Sequence, residues 1–259
     1  MNGQPASELP QVVVIGDLHG CSDLLRRLLQ QIERQWQWHE MVFLGDYIDR
    51  GPDPKGVIDE LVALKRRYPG RITCLMGNHE QWLLQWLNQP GSSSWLIGME
   101  GLGTIHCYNK QLASQIQFAV KTLGIELFIS GGKILKPLCE QFFQQTLPRS
   151  HFEFFTTLAP YYQIPGLICA HAGVKPGVLM TDQRPEDLCW ISDEFYQNYA
   201  GEDWVIFGHM CTYQLRPDGQ HLPFIGLNRI VGVDTGSEHT GVISAYRWPD
   251  GAVLQARKA

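Results

Sequence analysis

The sequence predicts an α/β fold built on a mixed sheet, or on two sheets packed together, and three observations predict it. Residues 11 to 90 alternate short apolar runs with helical stripes in the order βαβαβα, the pattern that sets parallel strands side by side. Residues 91 to 160 lose that alternation and read as helices and loops, a helical cap or insertion. From residue 161 short strands return, which suits two sheets or one mixed sheet better than a single doubly wound one.

Each element has a local reason. "QVVVIG" is an apolar run of strand length, and "DLLRRLLQQIERQ" sets Leu24, Leu25, Leu28, Leu29 and Ile32 on one helical face. "MVFLG" is the next strand, "GVIDELVALKRR" the next helix, and "RITCLMG" a third strand before the helix "EQWLLQWL". In the middle region "PLCEQFFQQTL" and "HFEFFTTL" are the clearest helices. "YYQI", "GLICA", "DWVIF", "RIVGVD" and "GVISAYRW" follow as strands, and "PDG" at 249 to 251 turns the last of them into "AVLQA" as a hairpin.

Composition narrows the function. The 259 residues are taken as one domain spanning 1–259, ample for a substantial core. A net charge of -5 with 18% charged residues supplies no global positive field for a nucleic acid or an anionic membrane, so phosphate recognition would have to be local. The seven cysteines contain no CxxC pair and mostly sit in apolar runs, as thiols of a reducing compartment do. "MNGQPASELP" lacks the basic start and apolar core of a signal peptide, so a soluble cytoplasmic protein is expected. The only low-complexity stretch is the short "PGSSS" at 90 to 94.

Polar ligand chemistry recurs at strand ends. The first strand runs into Asp17 and His19, the second into Asp46 and Asp49, and the third into Asn78 and His79. "LICAHAG" ends in His171 and "WVIFGHM" in His209. Taken singly, a His after an apolar run is usually a hydrogen-bonded side chain, and an Asp between strand and helix is usually a cap. Recurrence in one structural context, at the carboxyl ends of strands where open α/β sheets gather ligands, argues for shared work. A set of oxygen and nitrogen donors without a thiolate suits Mn, Fe or Zn, and its size exceeds one tetrahedral site, which indicates two ions.

"GDLHG", "GDYIDRG", "GNHE", "HAG" and "FGH", in this order, resemble the calcineurin-like metallophosphoesterase superfamily, specifically the bacterial members of the phosphoprotein phosphatase (serine/threonine protein phosphatase) family. "GLGTIHCY", "RPEDLCWISDEF" and "VGVDTG" extend the resemblance over residues 11 to 248. It implies a four-layer α-β-β-α sandwich of mixed sheets with a helical insertion. It also implies that Asp17 and His19 hold a first metal, Asp46 bridges two, and Asn78, His171 and His209 complete the second. The ions would be divalent, Mn first with Fe or Zn as alternatives, and the nucleophile a hydroxide bridging them. Arg50, together with Asn78, would bind the substrate phosphate, and His79, oriented by Asp49, would protonate the leaving alkoxide.

Two departures stand out: Ser192 lies near where relatives carry a second phosphate-binding arginine, and Met210 replaces a threonine usual after the last histidine. Arg149, Arg184 or Arg216 could substitute from elsewhere in the chain. Glu80 is expected to favour the start of a helix without catalytic work, and Asp234 to be structural or supporting. His39, His106, His151, His221 and His239 lack the strand-end context and are read as ordinary; Trp36 and Trp38 are read as packing at a helix end before a partner surface.

The leading reading is a metal-dependent phosphomonoesterase acting on phosphoserine or phosphothreonine in a phosphoprotein or phosphopeptide, with no nucleic-acid or membrane partner. A dinucleoside polyphosphate (diadenosine tetraphosphate) hydrolase is the second, although such relatives more often carry Asp where Glu80 stands. A catalytically silent metal-binding regulatory protein is the third, kept open by Ser192.

Overall fold

A computed structural model describes residues 9–89, 94–123 and 126–258. Most of the amino-terminal "MNGQPASELP" and of the 90–94 stretch therefore lies outside the described residues. The chain begins βαβαβα as its pattern requires: β1 (Val12–Ile15), α1 (Ser22–Gln35), β2 (Glu40–Phe43), α2 (Pro54–Arg67), β3 (Ile72–Cys74) and α3 (Asn78–Asn88). Five helices follow, α4 (Ser94–Gly98), α5 (Gly101–Tyr108), α6 (Lys110–Leu123), α7 (Glu126–Gln141) and α8 (Arg149–Thr156). The second half brings β4 (Tyr162–Ile164), β5 (Leu167–Cys169), α9 (Pro185–Trp190), α10 (Asp193–Asn198), β6 (Trp204–Phe207), α11 (Thr212–Leu215), β7 (Phe224–Ile225) and β8 (Ile230–Gly232). It ends with α12 (Ser237–Thr240), β9 (Val242–Trp248) and β10 (Ala252–Arg257).

The strands form two five-stranded mixed sheets, ordered β10-β9-β1-β2-β3 and β4-β5-β6-β8-β7. In the first, β1, β2 and β3 are parallel and β9 returns antiparallel on β1; in the second, β5, β6 and β8 are parallel. Because successive side chains on a strand face opposite ways, "VVVI" divides its burial. Val12 and Val14 point inward with Val42 and Leu44, where they meet Leu167, Cys169, Ile206, Val231 and Val233 of the opposing sheet. Val13 and Ile15 point outward beneath Leu25, Leu28 and Ile32 of α1 and Val57, Ile58 and Leu61 of α2. The second sheet turns Ile168, Val205 and Phe207 outward against Leu188 of α9 and Phe195 of α10. Helix, sheet, sheet, helix is the expected four-layer sandwich, and both faces of each central strand are dry, which explains their unbroken apolar sequences.

The helices of the middle region join the first outer layer: Trp95, Ile105, Leu112, Ile116, Phe142, Phe154 and Phe155 share one apolar cluster with α1 and α2. They form a shoulder continuous with the core, and α4 and α5 reach the site described below. Some boundaries differ from the sequence expectation. Helix α3 starts at Asn78 rather than at Glu80, so Asn78 and His79 occupy a helical first turn, and Gly77 before them is extended at φ -94° and ψ 168°. Strand β7 escapes the pattern because two residues cannot show a period. Trp38 is a packing residue, with the Arg71 guanidinium 4.1 Å from its ring centroid. No helix of the described residues is long and apolar enough to cross a membrane.

Phe207 is fully buried, with its ring 5.3 Å from that of Phe195 and 5.1 Å from that of Tyr196. Replacing Phe207 with Ala should cost about 3–5 kcal/mol of unfolding free energy, read from the urea midpoint. A loss below about 1 kcal/mol would mean that the second helical layer is not anchored there.

Candidate metal centre

The carboxyl ends of the parallel strands in both sheets converge on one place. The loop after β1 carries Asp17 and His19, that after β2 carries Asp46, Asp49 and Arg50, and β3 leads through Gly77 to Asn78 and His79. From the second sheet come His171 after β5, His209 after β6 and Asp234 after β8. Backbone bonds lace the loops together: Leu18 and His19 N–H both donate to Asp46 O, at 3.1 and 2.8 Å, and Gly208 N–H donates to His171 O at 2.7 Å. Asp17, His19, Asp46, Asp49, Asn78, His79 and His171 are all buried, and Arg50 stands at the exposed rim.

The backbone there is strained. His19, Asp46, Asp49, Arg50 and His209 have φ of 36°, 51°, 67°, 62° and 64°, the left-handed region that residues with a Cβ avoid. Two glycines make the approach possible. A Cβ on Gly77 would lie 2.3 Å from Asp46 Oδ1, and one on Gly45, itself at φ 118°, would lie 2.8 Å from His171 Nδ1.

Glu80, expected only to help start a helix, does more. Its carboxylate accepts the backbone N–H groups of Asp46, Tyr47 and Ile48 at 2.9, 2.8 and 3.2 Å, holding the β2–α2 loop in its unfavourable turn.

The histidines present bare nitrogens inward, and their outer contacts dictate it. His19 Nδ1 lies 3.0 Å from Ile48 O, and His171 Nδ1 lies 3.0 Å from Leu44 O. A carbonyl only accepts, so each Nδ1 carries the proton and each neutral ring turns the lone pair of Nε2 to the centre. Burial pushes the His19 and His209 imidazoles down to about 4, and lowers His171 as well, so these rings are neutral at physiological pH. His19 Nε2 is 3.6 Å from Asp46 Oδ2, and His171 Nε2 is 3.5 Å from Asp46 Oδ1. Burial works to raise the Asp46 carboxyl, but the surrounding imidazoles outweigh it and hold the group well below the usual range. Asp17 is pushed the other way, by burial and by the Asp234 and Asp46 carboxylates.

The Asn78 side chain tests the fit to cations. Its Oδ1 lies 2.9 Å from His171 Nε2, and the same position is 3.0 and 3.1 Å from the two Asp46 oxygens. Turned end for end, the amide donates its N–H groups to all three lone-pair atoms; with the oxygen inward, the same crowding calls for positive charge between them, which a divalent cation would supply. His79 Nε2, buried and without a hydrogen-bond partner among the described residues, faces the same centre.

Two donor groups could each hold an ion, His19 with Asp46 and His79, and Asp46 with His171 and His209, the donor atoms within each lying inside 4.8 Å of one another. They share Asp46, the residue expected to bridge. Asp17 enters neither group: its oxygens accept the His209 backbone N–H at 3.2 and 3.0 Å. His79 stands in the first group instead, with Nε2 3.9 Å from Asp46 Oδ2.

The opposite side of His79 is fixed. Nδ1 lies 2.7 Å from Asp49 Oδ2, which also accepts Trp95 Nε1–H at 2.9 Å, while Asp49 Oδ1 accepts the Thr104 hydroxyl at 2.5 Å. Burial works to lower the His79 pKa, but the Asp46 and Asp49 carboxylates outweigh it and the net shift is upward. Trp95 and Thr104 come from α4 and α5, and no strand-end pattern could reveal them.

Arg50 Nη1 lies 3.2 Å from His19 Nε2 and 3.3 Å from Glu238 Oε1. Nothing in the sequence pattern singles out Glu238, and His239, read there as ordinary, sits with Nε2 3.1 Å from the same carboxylate oxygen. The turn after β8 carries His239 to the rim, a placement that strand-end reasoning does not reveal. Arg149, Arg184 and Arg216 are paired with Glu153, Asp187 and Asp218, and none lines a cleft beside Arg50. Trp190, two residues before Ser192, stands beside His209 with ring centroids 6.1 Å apart. Asp234 accepts the Gly236 N–H at 2.8 Å and thereby shapes the turn that carries Glu238.

Two clefts meet at Arg50. One, of about 880 Å³, is lined by Arg50, Glu238, His239, Glu100, Arg27 and Lys258 among others. The second, of about 430 Å³, continues from Arg50 and Glu100 along Leu96, Ile97, Leu102 and Val120. A larger cleft of about 950 Å³ lies around Val174 to Thr181 and contains none of the converging residues, so volume alone misplaces the site.

Comparison with known proteins bears on this arrangement. The family model for calcineurin-like phosphoesterase matches residues 10–213. The chain is 23% identical over 266 aligned residues to the bis(5'-nucleosyl)-tetraphosphatase PrpE (asymmetrical) of Geobacillus sp. (strain WCH70), covering 93% of this chain and 91% of that protein. Over 70 residues it is 47% identical to a protein phosphatase 2A catalytic subunit of Dictyostelium discoideum, covering 27% of this chain and 22% of that one. A crystal structure described as "a putative diadenosine tetraphosphatase" superposes with a TM-score of 0.62 at 20% identity, covering 98% of this chain and 96% of that chain, and supports the fold.

Gly77→Ala should displace the Asp46 carboxylate and leave the purified protein with less than half the Mn(II) of the parent by elemental analysis, the circular dichroism spectrum being retained. Full metal content in a folded Gly77→Ala protein would show that Asp46 does not need that clearance.

Proposed function

The chain belongs to the calcineurin-like phosphoesterase family, metal-dependent hydrolases, and from that premise we propose that it is a phosphomonoesterase acting on phosphoserine or phosphothreonine in proteins. The observation that carries this reading is the buried pair of Asp49 and His79, 2.7 Å apart. A serine or threonine alkoxide is a poor leaving group and needs a proton as it departs, whereas a nucleotide phosphate leaves with little help. An imidazole raised by carboxylates, with its inward nitrogen unpartnered, is built to give that proton.

Asp17, His19, Asp46, Asn78, His171 and His209 are the proposed holders of two divalent ions, with Mn first and Fe or Zn as alternatives. Bound there, the ions supply Lewis-acid polarisation of the phosphoryl oxygens and make water acidic enough to attack at neutral pH. The chain's own residues do the rest. Arg50 offers a planar fork to the phosphoryl oxygens from the rim, and the buried Asn78 amide, beside Asp46 and His171, is the second proposed phosphate contact. Asp49, whose carboxyl is raised by burial against the lowering effect of its bonds from His79, Thr104 and Trp95, holds His79 by Nδ1 so that Nε2–H points inward. His79 gives that proton to the departing serine or threonine oxygen.

A second reading, hydrolysis of dinucleoside polyphosphates, is favoured by one observation. The similarity to the tetraphosphatase of Geobacillus runs end to end, whereas that to the protein phosphatase covers 27% of the chain. Protein loaded with Mn(II) should hydrolyse a phosphoserine peptide with a higher kcat/KM than diadenosine tetraphosphate; the reverse order would give the second reading the site. Absence of turnover with every divalent metal, on p-nitrophenyl phosphate as well, would leave a silent metal-binding protein.

His79→Asn should lower kcat for an alkyl phosphate by about 10²–10⁴-fold. The loss on p-nitrophenyl phosphate, whose phenolate leaves without a proton, should be at least tenfold smaller, with bound Mn(II) nearly unchanged. Equal losses on both substrates would remove His79 from the role of acid.

A further inference from the structure

The phosphate clamp already has a partner. Arg50 Nη1 sits 3.3 Å from Glu238 Oε1, and the Glu238 side chain is only 7% exposed although it lines the mouth of the larger cleft. Its support is rigid. Helix α12 is four residues long and is bounded by Gly236 and Gly241, both left-handed at φ 76° and 69°. Within it the Thr240 hydroxyl donates to Thr235 O and Gly236 O at 2.7 and 2.9 Å, and the Thr235 hydroxyl lies 2.9 Å from Val242 O. These bonds fix the backbone that carries Glu238 beside the Arg50 guanidinium.

We propose that Glu238 determines substrate specificity: it is the resting counter-charge of Arg50, and it selects phosphomonoesters that carry a cationic group next to the phosphoryl group over those that carry a second anion. The inference deepens the phosphomonoesterase reading and rests on it.

The physical argument is one of charge. When the phosphoryl oxygens take the Arg50 fork, Glu238 loses its ion-pair partner while remaining mostly buried, and an unpaired carboxylate then faces a dianion. His239, 3.1 Å from Glu238 Oε1 but half exposed, offsets this weakly. A substrate with an ammonium or guanidinium beside its phosphate restores the lost pairing, as a phosphoserine with a neighbouring lysine or arginine does. One with a carboxylate or a further phosphate adds a third negative charge, and discrimination by such repulsion is an ordinary route to specificity. Glu100, which lines both clefts meeting at Arg50, carries the same sign further along the trough, while Arg27 and Lys258 on the wall of the cleft of about 880 Å³ carry the opposite one, so the discrimination is assigned to Glu238 at the position beside Arg50.

The test uses small probes that share a phosphomonoester and differ in the neighbouring charge. O-phosphoethanolamine, phosphoglycolate and inorganic phosphate are titrated calorimetrically into the full chain loaded with Mn(II) and carrying His79→Asn, which slows their hydrolysis, with Glu238→Gln and Glu238→Asp added in parallel. The parent should bind phosphoethanolamine about tenfold more tightly than phosphoglycolate. Glu238→Gln should bring that ratio below about threefold, mainly by tightening phosphoglycolate, and Glu238→Asp should retain more of it than the amide does. A ratio near unity in the parent, or an unchanged ratio in Glu238→Gln, overturns the proposal. Since binding is read in a background that turns alkyl phosphates over slowly, a failed phosphomonoesterase reading shows separately, as absence of p-nitrophenyl phosphate hydrolysis by the loaded protein that retains His79.

Discussion

The mutual repulsion of lone pairs around Asp46 is the constraint on which the rest of this structure depends. Two histidine nitrogens lie 3.6 and 3.5 Å from its oxygens, and the Asn78 amide group lies closer still. All of these groups are buried, so water cannot relieve them as it would at a surface. Positive charge between them turns the same geometry from a cost into a binding energy. The fold's part is to hold donors from both sheets at one point against that repulsion, which is why the parallel strands of each sheet end there.

Holding them requires a frame stiffer than the loops themselves. Five site residues sit in left-handed backbone, each disfavoured on its own, and they persist because a dry strand anchors the start of each loop and a helix its end. Glu80 is the clearest brace, since one carboxylate takes three successive N–H groups of the loop that carries Asp46, Asp49 and Arg50. The helical shoulder contributes a second brace through Trp95 and Thr104, which fix Asp49 and through it the ring of His79. Core packing and site geometry are thus one problem solved by one set of contacts.

The fold is legible where a residue's role shows in its neighbours along the chain. Runs such as "VVVI" and the stripe from Leu24 to Ile32 report burial directly, and the polar residues after each strand mark where ligands gather. Illegible are roles created by distant contacts. Glu80 looks like a helix-favouring acid, yet its carboxylate serves residues more than thirty positions earlier. Glu238 and His239 lie on a turn with no periodic signal, and only folding brings them to Arg50, 188 residues away in the case of Glu238. The start of α3 is ambiguous in sequence because Asn78 and His79 look like the end of a strand when read from β3 and like the first turn of a helix when read from α3; they are the latter.

At the rim of this site Arg50 is opposed by Glu238, and the indole of Trp190, two residues before Ser192, stands beside His209. On the proposed reading, phosphate recognition leans on the buried centre more than on the rim, and the whole account returns to charge at Asp46. Anomalous scattering at the manganese edge from a crystal grown with Mn(II) tests this most directly. The account predicts two peaks roughly 3.5–4 Å apart with the Asp46 carboxylate between them. A single peak away from Asp46, or none, would contradict it.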